Sequence, residues 1–464
     1  MSGGTDGGSR TASRRPADLA GRTPRLVAAG LLAALLVGCS VVPPAPAPTP
    51  PASAGQSSPS TSAAPQPPAT PEPAPLPDAD RLAKVLAKVA KSGVGKSGVV
   101  VIDPASGQKL ASTGDKPLIP ASTMKLLTTL AVVDTIGPEA TFTTAVVAPK
   151  PGRLVLVGGG DPFLTDKPSK SADKPASLQA LAEQTVAALQ QQGVTSVRLG
   201  YDTSLFARPT WHPSWKPSWK TFTARVGALS INGGLANQWK AHGDPAKVAA
   251  EAFATRLKQA GIKVTKIAAQ RAPAGAQRVA AVQSAPLATV VGRVLRLSDN
   301  HGAEVLGRHL ALASGGEPSF DGARQAIAGW LKAHGLWADG MRIDDASGLS
   351  RKSKVRPSVL ADGLARALVT PRWSAVVNGL PVAGVNGTLK HRFNDPAEKA
   401  GRTVVHAKTG TLLGVATLAG YVTTRDGAVL SFAAMANDAG RDSAYNWLDR
   451  TATALAKCGC RGTS

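Results

Sequence analysis

The chain is short of several residue types, and each shortage excludes something. Three cysteines in 464 residues cannot make a disulfide framework. Seven histidines with no H-E-x-x-H remove the usual basis for a zinc peptidase, and no metal or cofactor is called for. Aromatics are only 4%, so any core must lean on Ala, Val and Leu. Acidic residues are scarce, 30 against 53 Lys and Arg, for a net charge of +23. Only +1 of that falls in residues 1–78, so the remainder of the chain is a basic body. Such a body suits anionic partners: nucleic acid, anionic lipid or a cell wall rich in carboxylate and phosphate. Gly95-Lys96-Ser97 hints at a phosphate loop, but the required first glycine falls at Ala90.

What is present is a core's worth of apolar residues, 43%, which rules out a wholly disordered chain. The length allows two to three domains. Arg22 and Arg25 precede the apolar run Leu26–Gly38, which is too short for a comfortable membrane span and suits a signal-peptide core. It ends Leu36-Val37-Gly38-Cys39, similar to a bacterial lipobox, in which the cysteine takes a diacylglycerol and becomes the mature N-terminus. Two acyl chains suffice for stable anchoring. Residues 40–78 are rich in Pro, Ala, Ser and Thr and read as a disordered, semi-rigid spacer. An anchor and a spacer place the body outside the cytoplasm, at the cell envelope, and argue against nucleic acid.

From residue 79 the pattern is mixed α+β. Helical spacing is expected at 79–92, 122–136, 176–192, 245–260, through 286–335, at 356–369 and 442–457. Strands are expected on either side of the Asp103–Gly107 turn, at 142–148, 153–158, 195–200, 262–269, 278–283, 402–408, 413–423 and 427–436. The last three are sequential and closely linked, so they should form an antiparallel meander.

The chemistry concentrates in three short motifs. Pro120-Ala-Ser122-Thr-Met-Lys125 opens an apolar helical run. A spacing of three puts Ser122 and Lys125 on one helix face, so a desolvated amine can take the hydroxyl's proton. Ser106–Lys109 and Ser171–Lys174 share the spacing but fall in a turn and a polar loop. Ser298-Asp299-Asn300 follows the helical run 286–297, and a strand from Val404 runs into Lys408-Thr409-Gly410-Thr411.

Each motif alone is weak, but in this order they resemble the set of penicillin-binding proteins and active-site serine β-lactamases. Further stretches match: His301–Arg308 with Glu304, Leu156–Pro162 with Asp161, Ala228–Gly234, Asp345–Ser350 and Gly384–Leu389. Together they are similar to the D-alanyl-D-alanine carboxypeptidase/endopeptidase family of class C low-molecular-mass penicillin-binding proteins, over residues 79–456. The resemblance implies a transpeptidase-like catalytic domain, an antiparallel sheet flanked by helices, made of residues 79–144 and 286–464. The 176 residues between Ser122 and Ser298 leave room for one inserted domain, 145–285.

The resemblance also implies roles. Ser122 attacks the carbonyl between two terminal D-alanines of a peptidoglycan stem peptide, and Lys125 is the general base. Ser298 relays a proton to the leaving amine, and Asn300 bonds the substrate amide or Lys125. Lys408, Thr409 and Thr411 receive the terminal carboxylate beside Gly410. The N–H groups of Ser122 and Thr411 form the oxyanion hole. β-Lactams would acylate Ser122. Two other readings are a serine β-lactamase or esterase on the same scaffold, and a non-catalytic wall-binding scaffold. The stretch Arg208–Lys220, with Trp211, Trp215 and Trp219, reads as packing near the insertion or as a glycan contact. Cys458-Gly-Cys460 reads as a terminal remnant, with a strained bridge or metal pair as alternatives.

Overall fold

The computed structural model describes residues 74–90, 94–237 and 240–459. The signal segment, Cys39, nearly all of the spacer and Cys460 lie outside the described residues. Helix α1 (Ala79–Ala90) leads into β1 (Lys96–Ile102) and β2 (Lys109–Ser112), then α2 (Met124–Ile136). Next come β3 (Thr143–Lys150), β4 (Arg153–Val157), α3 (Leu178–Gln191) and β5 (Ser196–Asp202). A small hairpin, β6 (Leu235–Asn237) and β7 (Lys240–Ala241), precedes α4 (Pro245–Gln259), β8 (Lys263–Ala269) and β9 (Gln277–Gln283). Four helices follow, α5 (Leu287–Leu297), α6 (Asn300–Ala313), α7 (Phe320–Ala333) and α8 (Pro357–Val369), with a short α9 (Ser374–Asn378). The meander β10 (Val405–Leu412), β11 (Val415–Thr423) and β12 (Val429–Asn437) ends in α10 (Arg441–Ala456).

The meander does not stand alone. Strand β1 pairs antiparallel with β12, Val99 opposite Ala434, and closes a five-stranded sheet in the order β10-β11-β12-β1-β2. Alternation then decides what each face buries. Val99, Val101, Phe432, Ala434 and Leu418 face Leu82 and Leu86 of α1 and Trp447, Leu448 and Leu455 of α10. Val100, Ile102, Ala433, Met435 and Ala419 face Met124, Leu127 and Leu130 of α2 and Leu360 and Leu364 of α8. Helix α2 lies inside this layer: every residue from Met124 to Val133 is buried. It therefore has no polar stripe, as expected of a helix surrounded by protein.

Residues 143–283 make a second five-stranded sheet, order β8-β5-β4-β3-β9. It is mixed: β4, β5 and β8 are parallel, while β3 pairs antiparallel with β4 and β9. Parallel neighbours need crossovers, and α3 and α4 supply them. Both helices pack Leu181, Leu189, Phe253 and Leu257 onto Val146, Leu156, Val197 and Leu199. The Asp103–Gly107 turn is held by the Asp103 carboxylate, which accepts from the N–H groups of Ala105 and Ser106 at 3.1 Å each.

Candidate active site

The nucleophile candidate sits at a forced bend. The helix expected from Ser122 begins instead at Met124, after one tight turn over Ala121–Thr123. Neither Ser122 nor Thr123 caps it: the Thr123 hydroxyl donates back to Pro120 O at 2.7 Å, and Ser122 faces Lys125. Ala121 is in the left-handed region, φ 46°, which costs a non-glycine residue on the order of 1–3 kcal/mol. Three contacts from distant chain hold the bend. Thr417 of β11 donates to Pro120 O at 2.8 Å. The Asn437 side chain accepts from Ile119 N at 2.8 Å and donates to Ile119 O at 3.2 Å. Gly348 packs so tightly on Ala121 O that an added Cβ would lie 1.8 Å from it.

Ser298, Asp299 and Asn300 form the joint between two helices. Ser298 ends α5 in a left-handed conformation, φ 57°. Asp299 caps α6, accepting from Gly302 N at 2.7 Å, and Asn300 is the first residue of that helix. The middle residue of the motif is thus a cap, and its neighbours each meet a lysine, Ser298 meeting Lys408 and Asn300 meeting Lys125.

Lys125 joins these pieces. Its Nζ donates to Ser122 Oγ at 2.9 Å, Asn300 Oδ1 at 2.6 Å and the Ser347 carbonyl at 2.8 Å. The Asn300 amide donates in turn to Phe222 O at 2.9 Å. Complete burial pulls Lys125 down from 10.5 to about 8, although Asp345, Asp299 and Glu304 oppose the shift. Lys408 Nζ donates to Ser298 Oγ at 2.9 Å and Thr409 O at 2.7 Å. It too lies well below the ordinary lysine value, first through burial and then through the positive charge of Lys125.

Strand β10 brings the third motif to the serine. Gly410 faces the bend, and a Cβ there would lie 2.1 Å from Thr417 Oγ1 and 3.0 Å from Ser122 N. Thr409 and Thr411 project from the opposite side of the pleat. The Thr409 hydroxyl meets Thr388 Oγ1 at 2.7 Å, and that of Thr411 meets the Tyr445 hydroxyl at 2.7 Å. β10 is also a sheet edge. A neighbouring segment covers it through Ala383 N to Val405 O and Ala407 N to Pro381 O, both 2.9 Å. Among the described residues that pairing stops at Ala407. The backbone of residues 405 and 407 points outward, so by alternation that of 409 and 411 does too. The Thr411 N–H therefore points toward the uncovered edge.

Of the eight motif residues, Ser122, Lys125 and Asn300 meet directly, Lys408 joins Ser298 and Gly410 packs on Ser122, while Thr409 and Thr411 project from the other side of the strand onto Thr388 and Tyr445. Cys39 lies outside the described residues. Sequence reading missed Thr417 and Asn437, which hold the bend, and Tyr445, which meets Thr411, none of them in any motif. Thr388 and Ser347 do fall in stretches singled out by resemblance. The tryptophan stretch packs: Trp215 is buried, edge-on to Trp211 and Phe320, and donates to Asp345 at 3.0 Å. Asp161 caps its own turn, accepting from Phe163 N at 2.9 Å. Cys458 is buried in the core beside α10.

Known proteins resemble this chain over most of its length. Carboxypeptidase Rv3627c of Mycobacterium tuberculosis is 33% identical over 395 residues, covering 82% of this chain and 84% of its own. Carboxypeptidase DacB of Mycolicibacterium smegmatis is 34% identical over 378 residues, 78% and 80% of the two chains. Among solved structures, penicillin-binding protein 4 from Haemophilus influenzae superposes with a TM-score of 0.67 at 20% identity, covering 79% of this chain and 97% of its own. That likeness is one of fold. The model of the D-Ala-D-Ala carboxypeptidase 3 (S13) family matches residues 79–239 and 226–457, which take in the bend, the helix joint and the edge strand alike. With both sheets and all three motifs inside that match, the chain belongs to the D-Ala-D-Ala carboxypeptidase 3 (S13) family and is a serine-type carboxypeptidase.

Proposed function

We propose that this carboxypeptidase removes the terminal D-alanine from peptidoglycan stem peptides, or cuts their cross-links, through an acyl group on Ser122. The observation that carries this is the Lys125 ammonium, bonded at once to Ser122 and to Asn300, 175 residues further on.

The substrate's last residues lie along the open edge of β10, adding main-chain bonds as an extra strand. The terminal carboxylate settles beside Lys408, Thr409 and Thr411. Two buried ammonium groups repel each other, so a carboxylate next to Lys408 fixes positive charge there and favours loss of the proton from Lys125. Neutral Lys125 takes the Ser122 proton as Oγ attacks the carbonyl carbon. The N–H groups of Ser122 and Thr411 receive the oxyanion; one such donor is worth on the order of 100-fold or more in rate. Ser298, held by Lys408, passes a proton to the leaving D-alanine amine. Water then releases the acyl group.

Reaction at peptidoglycan places the activity outside the cytoplasm. No helix among the described residues is long and apolar enough to cross a membrane. Attachment through a lipidated Cys39, and the identity of residues 145–285 as an inserted domain, are parts of the same proposal. β-Lactams, which mimic the D-Ala-D-Ala end, should acylate Ser122.

The test is incubation with a labelled penicillin and with a D-Ala-D-Ala stem peptide, read by mass spectrometry of the Ser122 peptide and by D-alanine release. A stable adduct on Ser122 and released D-alanine are expected, both abolished by Ser122→Ala. Rapid consumption of penicillin would move the reading to a β-lactamase. Folded protein giving neither adduct nor product would leave only a wall-binding scaffold.

A further inference from the structure

Linked to Lys125 through Ser347 lies a buried acid, Glu304, that the reaction above does not use. Glu304 follows Asn300 by four residues on α6, so the two share one helix face. Asn300 reaches Lys125 directly, and Glu304 reaches it through one residue's backbone. Glu304 Oε1 accepts from Ser347 N at 2.8 Å, and Ser347 O accepts from Lys125 Nζ at 2.8 Å. Glu304 Oε2 is buried without a hydrogen-bond partner.

A second carboxyl, Asp345, stands beside it, and the two are not equally provided for. Asp345 accepts from Trp215 Nε1 at 3.0 Å, Gly348 N at 2.9 Å and Ser350 N at 2.6 Å. Two buried carboxyls side by side do not both ionise readily. Burial raises both, but Asp345 has three donors within 3.0 Å, whereas Glu304, which Ser347 and Ala346 stabilise as an anion, is left with one bare oxygen and keeps the proton. The other charged or titratable groups around Glu304 do not replace that proton. Arg308, one turn on, gives two guanidinium N–H groups to the carbonyls of Ala207 and Pro209 at 2.6 and 2.7 Å rather than to Glu304, and its Nε is buried without a partner. Asp299 is committed to its cap, and buried His301 is held below its ordinary value mainly by desolvation. His212 lies on the Asp344 carbonyl at 3.0 Å, and Lys408 lies beyond Lys125, on Ser298.

We propose that Glu304 is a positioning residue that works in its protonated form: neutral, it orients Ser347 against Lys125; ionised, it keeps the proton on Lys125 and disables the base. This rests on Lys125 being the base. Burial and Asp345 push Glu304 up to about 8, where desolvation has brought Lys125 down to. As pH rises the pair loses one proton, from either member. Only loss from Lys125 makes a competent enzyme, so at equal proton affinity about half of the singly deprotonated molecules are idle.

Glu304→Gln fixes the neutral form while keeping an acceptor for Ser347. Measured on the full chain with a D-Ala-D-Ala peptide, its kcat/KM should overlie that of the parent below about pH 7. It should exceed the parent about twofold between roughly pH 8 and 9. Identical profiles throughout, or one loss factor at every pH, would overturn the proposal. The second readout needs no turnover. At neutral pH, infrared spectra of the Ser122→Ala chain should show a protonated carboxylic acid band that disappears on adding Glu304→Gln, and its absence would overturn the proposal outright. Activity that survives Lys125→Ala with its pH profile intact would sink the base assignment and the switch with it, a failure separable from this one because the infrared band would remain.

Discussion

The two sheets have the same number of strands and meet opposite demands. In the β10–β2 sheet the two central strands β11 and β12 are buried almost end to end, with helices on both faces. In the β8–β9 sheet the outer strands β8 and β9 are exposed or half-buried except at Ala280, and one face carries α3 and α4. The first sheet supplies an edge, a glycine and a threonine that must meet a strained bend to within tenths of an ångström. The second supplies bulk and keeps most of its strand residues near water. Precision is therefore concentrated in one sheet, and substitutions should reveal it.

The largest contrast is expected at Lys125. Lys125→Ala should lower D-alanine release by about 1,000-fold or more, because base and nucleophile act as one unit. A loss below tenfold would deny the first sheet its chemical role.

Next are two glycines, one in each sheet. At Gly410 an added Cβ meets Thr417 Oγ1 at 2.1 Å and Pro120 O at 2.8 Å, and the backbone there cannot yield. Gly410→Ala should cost about 1–3 kcal/mol in stability and about 100-fold in kcat/KM through misplacement of the bend. At Gly200 in β5 the Cβ meets only the Gln270 side chain, at 3.0 Å, which can move. Gly200→Ala should change thermal stability by less than about 1 kcal/mol and leave kcat/KM within about twofold. Equal effects at the two sites would dissolve the contrast.

The pH profile should separate the regions again. Lys125 is lowered from 10.5 to about 8 and, as the proposed base, acts only when neutral, so kcat/KM should fall about tenfold per unit well below pH 8. Between about 8 and 10.5 the unfolded chain binds a proton here that the folded chain does not, so this group makes stability rise with pH across that window. Among the described residues no lysine of the second sheet is buried. The smallest effect is expected at its exposed positions: Lys263→Ala on β8 should alter stability by less than about 0.5 kcal/mol and activity not measurably.

Much of this was legible in the chain. Helices and strands fall within a few residues of their hydrophobic patterns, because α1, α4 and β12 each have a wet and a dry side or a continuous apolar run. The three motifs named the residues that converge. The pairing of β1 with β12 was not legible, since Val99 and Ala434 are 335 residues apart and no local pattern records which strand a buried strand meets. Nor was the support of the bend. Thr417 and Asn437 are ordinary strand residues in sequence, and what Ser347 offers Lys125 is a backbone carbonyl, which every residue has. The change from helix to tight turn at Ala121–Thr123 is likewise imposed from outside, by Gly348 and Thr417, against the preference of alanine.

The stretch of β10 from Lys408 to Thr411 has a consequence for handling the protein. Unpaired strand edges are where β-proteins stick to one another and seed aggregates. Most sheets remove that hazard with bulges, prolines or covering loops; here the hazard is kept, but only over four residues beyond the segment that pairs up to Ala407. If the substrate binds here as proposed above, the open edge is a rationed defect. Its reach must be long enough to seize one extended peptide and too short to seize a neighbouring molecule, so lengthening the gap by loosening residues 381–383 should trade solubility for substrate range.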